Sequence, residues 1–217
     1  MFNVLPENPE LGAVTPYTIN EKCRYLRKHF DRIEKVFEVE SEELWAASLA
    51  ENERTKDHED DSEHDYRHSD SLREIEFISL RMHRYSSILS SYAYLENSMN
   101  KLCEEYHIAK QLPLDPSQVK GEGIERSKLY LSKLAKLDFD KINKEWSQLQ
   151  ILNALRNCII HADGDVNLTR KKLDNIINNT PGLSFVDSSL IMMEASYIHS
   201  AVDAIQTLLL HLSEAGR

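Results

Sequence analysis

Residues 71–107 read SLREIEFISLRMHRYSSILSSYAYLENSMNKLCEEYH, and in them Ile75, Ile78, Met82, Tyr85, Leu89, Tyr92, Leu95, Met99 and Leu102 recur at intervals of three and four. That period puts one apolar stripe on a single long helix. A helix with one such stripe must bury it against other elements, so the rest of the chain has to supply partners.

Upstream, Ile19, Cys23, Leu26, Phe30, Ile33 and Phe37 repeat the helical period, and the pattern runs on past Leu44, Ala47 and Leu49. Downstream, three further helical segments are expected: Ile124 to Leu137, a helix through Ile142, Trp146, Leu149, Leu152, Leu155 and Ile159, and a strongly periodic one from Glu194 to Ser213. Asp138 or Asp140 can cap the second of these. A short helix over Asn167 to Asn179, carrying Arg170-Lys171-Lys172, is stopped by Pro181-Gly182. Leu183-Ser184-Phe185-Val186 and Leu190-Ile191-Met192-Met193 flank Asp187-Ser188-Ser189, a spacing that suits a small β-hairpin. The expectation is an all-α, up-and-down helical bundle with one small β-hairpin before the last helix.

Two segments fall outside that bundle. Residues 1–18 read as an extended arm, because three prolines crowd Leu5 to Pro16. Residues 19–217 then form a single domain, interrupted by an acidic linker at about 54–71. Its core, Asp57-His58-Glu59-Asp60-Asp61-Ser62-Glu63-His64-Asp65, has no apolar period. His58, His64 and His68 sit there among carboxylates, a conceivable metal site.

Six glycines and six prolines in 217 residues are too few for a barrel or sandwich built on many tight turns. The formal charge of −10 argues against a general nucleic-acid coat protein, though a local basic patch escapes that argument. Lys120, Arg126, Lys128, Lys133 and Lys136 form the most basic stretch. Cys23, Cys103 and Cys158 lie far apart without a CxxC pair, which suits free thiols in a reducing cytosol. Neither a signal peptide nor an apolar run of roughly 20 residues is visible, so a cytoplasmic protein without a membrane span is expected.

The chemistry concentrates in Leu155-Arg156-Asn157-Cys158-Ile159-Ile160-His161-Ala162-Asp163-Gly164, at the close of a helix that ends on glycine. Arginine binds phosphate bidentately, and histidine moves protons near neutral pH. Asn153, Asn157 and His161, spaced by four, form one polar stripe, while Arg156 points roughly 140° away from His161. The two groups meet if the long guanidinium reaches round, or if two such helices pack across a two-fold axis. Together they suit phosphodiester cleavage, with histidine as proton carrier and arginine neutralising charge on phosphorane oxygens. Cys158 reads as a small core residue.

Arg156-Asn157-x-x-x-His161 resembles the signature of the HEPN superfamily: an arginine, a polar residue directly after it, and a histidine separated from the arginine by four to six residues. The resemblance implies a helical bundle that cleaves RNA without metal or cofactor, at a site formed between two protomers. The 2′-hydroxyl would be the nucleophile and a 2′,3′-cyclic phosphate the product. It implies catalytic roles for Arg156 and His161 and a supporting role for Asn157. Glu96, in Tyr94-Leu95-Glu96-Asn97, is the match for an assisting acid on an earlier helix. A homodimer, an RNA substrate and an antitoxin or anti-phage defence partner follow from the same resemblance. Some toxin members carry a modifiable tyrosine two residues after the histidine; here that position is Asp163, so regulation by that route is not implied. The alternative is a non-catalytic helical binding or dimerisation module. A carboxylate–histidine metal enzyme is a third reading, for which Glu104-x-x-His107 is the one Glu-x-x-His pair on a core helix.

Overall fold

The computed structural model describes residues 13–55, 70–169 and 173–215. Among the described residues, six α-helices and one two-stranded sheet make up the architecture. Helix α1 (Pro16–Thr55) starts three residues earlier than the proline-rich arm suggests. Pro16 sits at the first helical position, where its fixed φ is an advantage. The Thr15 hydroxyl accepts the Thr18 amide at 3.2 Å, which closes the helix end. The remainder of the expected arm, like His58, His64, His68 and the core of the acidic linker, lies outside the described residues.

A π-helical segment, Glu74–Ser79, leads into α2 (Leu80–Lys110). From Tyr85 onward the stripe is buried at Tyr85, Tyr92, Leu95, Met99 and Leu102 as expected, while Leu89 is only half-buried and Ile88 and Tyr106 are buried in addition. Upstream it is not: Ile78 and Met82 are exposed and Ile75 is buried. The wider π turn breaks the 3.6-residue phase between the two stretches. Helix α3 (Gly123–Leu129) passes into a second π segment, Tyr130–Leu134, so the expected helix to Leu137 is shorter; Leu129 faces solvent and Leu131 the core.

Asp138 accepts the Asp140 amide at 2.9 Å and opens a 3-10 turn, Asp140–Ile142, ahead of α4 (Asn143–Ala162). The expected helix over 167–179 is instead a 3-10 turn, Val166–Leu168, and the short α5 (Asp174–Asn179), separated by extended backbone at Thr169. Arg170, Lys171 and Lys172 lie outside the described residues. Strands β1 (Leu183–Val186) and β2 (Leu190–Met193) form the antiparallel hairpin, with Leu183 opposite Met193 and Val186 opposite Leu190. Helix α6 (Ala195–Glu214) closes the bundle.

α6 packs against α1, α2 and α4, while α2 packs against α1 and α4. α1 and α4 therefore stand on opposite flanks, with α2 and α6 between them. Leu95, Leu149, Leu155, Ile205 and Leu208 are almost fully buried at the centre. Each such side chain stabilises the fold by about 1.5–3 kcal/mol relative to leaving it in water.

Charge is unevenly spread over this frame. Residues 33–82 hold 16 Asp and Glu against 6 Lys and Arg, so the whole formal charge of −10 belongs to the end of α1, the linker and the approach to α2. The switch happens within one helix. Residues 16–35 carry six basic and three acidic side chains, residues 36–55 one basic and six acidic.

Candidate functional site

The motif occupies the last turns of α4, and the way that helix ends fixes it in place. Asp163 and Gly164 both take left-handed backbone, with φ of 48° and 81°, and the Gly164 amide returns to the Cys158 carbonyl at 3.3 Å. A Cβ on Gly164 would lie 1.9 Å from the Tyr85 hydroxyl oxygen, so the glycine is required for space as well as for its φ. The Gly164 carbonyl accepts the Ile191 amide at 3.0 Å, and the Tyr85 hydroxyl donates to the Ile191 carbonyl at 2.7 Å. Burial pushes the Tyr85 hydroxyl up to about 12, which keeps it a donor. Arg81 donates to the Asp163 carbonyl at 3.1 Å, with its guanidinium 5.2 Å from the Tyr85 ring centroid. Asp163 therefore pairs with Arg81 on α2.

Arg156 is half-buried. Its guanidinium lies 5.3 Å from the Tyr92 ring centroid and donates to Asn157 Oδ1 at 2.8 Å. Asn157 donates to Asn153 Oδ1 at 3.4 Å, and the Tyr92 hydroxyl donates to the same oxygen at 2.9 Å. These four side chains form a closed ring of contacts across the α2–α4 interface. Burial, followed by the neighbouring Glu96 charge, pushes the Tyr92 hydroxyl up to about 12. It stays protonated and holds Asn153 as an acceptor.

Glu96 lies one turn beyond Tyr92, half-buried, facing the start of α3: its Oε1 is 3.3 Å from where a Gly123 Cβ would sit. It shares the Tyr92 neighbourhood but makes no hydrogen bond to Arg156. His161 is exposed, with no hydrogen bond or ion pair to a described residue, and Ile160 beside it is 47% exposed. The fold thus joins Arg156 to Asn157, brings Glu96 near them, and leaves His161 on the surface.

No family model, curated protein or solved structure matches the chain.

Cys158 is buried, and burial pushes its thiol up to about 11, which leaves little thiolate at neutral pH. Glu104 points to solvent while His107 Nδ1 sits 3.1 Å from the Tyr130 hydroxyl, so that pair does not converge on the core. In the basic stretch, Lys128 is spent on the Trp146 ring, 4.3 Å from its centroid; Lys120, Lys133 and Lys136 are exposed.

Tyr92 and Arg81 are the residues that sequence reasoning missed. Tyr92 stands in the apolar stripe of α2 as a core residue, and nothing in its spacing says that its hydroxyl reaches Asn153. Arg81 is one of two arginines near the helix start, and only the fold brings it to the end of α4.

Proposed function

We propose that the chain is a metal-independent endoribonuclease acting as a homodimer, in a toxin–antitoxin or anti-phage defence setting. The observation that carries this reading is the restrained Arg156, stacked on Tyr92 and tied to Asn157, five residues before an exposed and uncommitted His161. A guanidinium held this way is pre-organised for a phosphate and loses little freedom on binding it.

In the reaction, the ribose 2′-oxygen attacks phosphorus and its proton passes to a neutral imidazole. The bond from phosphorus to the 5′-oxygen breaks, and a protonated imidazole donates to the departing oxygen. The products are a 2′,3′-cyclic phosphate and a 5′-hydroxyl end. Arg156 neutralises charge growing on the phosphorane oxygens. Two imidazoles in opposite protonation states are needed for one turnover, and His161 from each of two protomers would supply them. The exposed Ile160 beside His161 offers apolar area for such a contact.

Cleavage of single-stranded RNA in EDTA tests the reading, with end-group analysis of the products. Arg156→Ala and His161→Ala are each expected to lower the rate by about 10²-fold or more with the fold intact; the thermal midpoint of the exposed His161→Ala variant stays unchanged, while Arg156→Ala loses its contact with Tyr92 and shows a small drop. Full activity in both variants would end the proposal. No cleavage by the unaltered protein would leave the non-catalytic binding module.

A further inference from the structure

α1 and α2 enclose an open groove of about 460 Å³ at the start of α1. Tyr17, Lys22 and Tyr25 line it from α1, and Tyr94, Asn97 and Lys101 from α2. Tyr17 is 73% and Tyr25 55% exposed, so both rings present area to solvent on which a flat group can stack. They stand eight residues apart, about 12 Å along the helix. Lys22 Nζ lies 6.0 Å from the Tyr94 centroid, and Arg24 lies 4.4 Å from that of Tyr25.

A second, shallower groove of about 650 Å³ lies on the α6 side of the same helix, lined by Arg24, Arg27, Lys28, Arg32 and Lys35 with Asp31 among them. Three of these cations are engaged. Arg24 is paired with Glu21, Arg27 with Asp203, and Lys35 with Glu38. Lys28 and Arg32 are exposed and make no ion pair with a described residue. The basic half of α1 is therefore an aromatic platform that runs into a cationic track.

We propose that this face binds single-stranded RNA, with bases stacked on Tyr17 and Tyr25 and the phosphates following Lys22, Lys28 and Arg32. Exposed rings interleaved with cations are the arrangement by which single strands are held without sequence readout. A duplex keeps its bases stacked inside and cannot use the tyrosines. A membrane surface fits less well, because the open positions beside the rings, Asn20, Lys22 and Asn97, are polar and offer no apolar face to bury in lipid. The acidic half of α1 repels the strand and confines it to the first half. Tyr92 and Tyr94 are two residues apart on α2, one against Arg156 and the other in the groove, so platform and motif lie on two flanks of one helix. The inference rests on the endoribonuclease reading only in taking the bound strand to be the substrate.

The test is binding of a short labelled single-stranded RNA of mixed sequence, in EDTA, by full-length His161→Ala protein. Tyr17→Ala and Tyr25→Ala are each expected to weaken binding about tenfold, with unchanged thermal midpoints because both rings are exposed. Lys28→Ala combined with Arg32→Ala should flatten the slope of log K against log salt by about 1.4, two phosphate contacts' worth. Unchanged affinity in all these variants overturns the proposal, as does tighter binding of an RNA duplex. Binding of phosphatidylserine vesicles through the same residues, without RNA binding, also overturns it. RNA cleavage that survives with normal affinity in the tyrosine variants sinks the platform and spares the endoribonuclease. Tyrosine-dependent binding by a protein that never cleaves RNA supports the platform and sinks the endoribonuclease.

Discussion

Helices α1 and α4 both carry apolar residues at helical spacing well past their midpoints, yet they end in opposite ways. The end of α4 is tied down from three sides: Arg81 on the Asp163 carbonyl, Tyr85 against Gly164, and β2 bonded to the Gly164 carbonyl. Among the described side chains of α1, the last fully buried one is Phe30. Beyond it Phe37 and Leu44 are half-covered, and Val36, Trp45 and Leu49 face solvent. Periodicity reports which face of a helix is apolar; it does not report whether anything lies against that face. Positioning chemistry needs supported side chains, and the tied end is where Arg156 and His161 sit.

The largest effect expected at either helix end breaks the tie itself. Gly164→Ala places a methyl 1.9 Å from the Tyr85 hydroxyl oxygen and forces alanine to a φ of 81°. Left-handed backbone costs a non-glycine residue about 1–2 kcal/mol, and crowding a packed site about 1–3 more. A loss of about 3 kcal/mol in chemical denaturation is expected, with the end of α4 losing amide-exchange protection first. A loss under about 1 kcal/mol would show that the two helix ends differ less than their contacts indicate.

The same contrast sorts what the sequence made legible. The hairpin was readable because Leu183–Val186 and Leu190–Met193 are short apolar runs around a polar turn, a purely local signal. The tied end of α4 was readable in part, since Gly164 marks a helix stop whatever surrounds it. Its clamps were not: Arg81 lies 82 residues before Asp163 in the chain, and only the packing of α2 on α4 joins them. The stripe of α2 failed at Ile78 and Met82, because a π segment has no signature in apolar spacing. On α4, spacing by four aligned Asn153 with Asn157, but the Tyr92 hydroxyl that fixes Asn153 comes from another helix.

A smaller effect probes the boundary between the packed and the open part of α1. His83 of α2 stacks on Phe30, 5.0 Å between centroids with the rings 10° apart, and lies 6.0 Å from Phe37. Burial holds its pKa below the usual imidazole range, against the pull of Glu34 and the Phe30 carbonyl. The folded state therefore favours the neutral ring. Above about pH 6.5 both states are neutral at this site and its contribution is fully present. As pH falls through that value, the unfolded chain takes up a proton that the folded one resists, and stability declines until the folded-state pKa is passed. His83→Gln should flatten the loss of thermal midpoint between about pH 7 and pH 5 relative to the unaltered protein. Parallel curves would place His83 in solvent contact and move the boundary of the packed core back toward Phe30.

The smallest effect belongs to the open half of α1. Leu44 is half-covered and Trp45 is 53% exposed, with no buried described residue between Phe30 and Leu72. Truncating an exposed side chain away from packed contacts changes stability by less than about 0.5 kcal/mol. Leu44→Ala and Trp45→Ala should both fall near that limit, whereas Phe30→Ala, at a fully buried ring, should cost about 3–5 kcal/mol. Amide exchange gives the matching readout: amides of residues 38–53 should open locally, far below the global unfolding free energy, while those of residues 19–30 should report it. A cost of about 2 kcal/mol or more for Leu44→Ala would mean that the acidic half of α1 is packed as firmly as the basic half. The contrast between the two helix ends would then rest on charge alone.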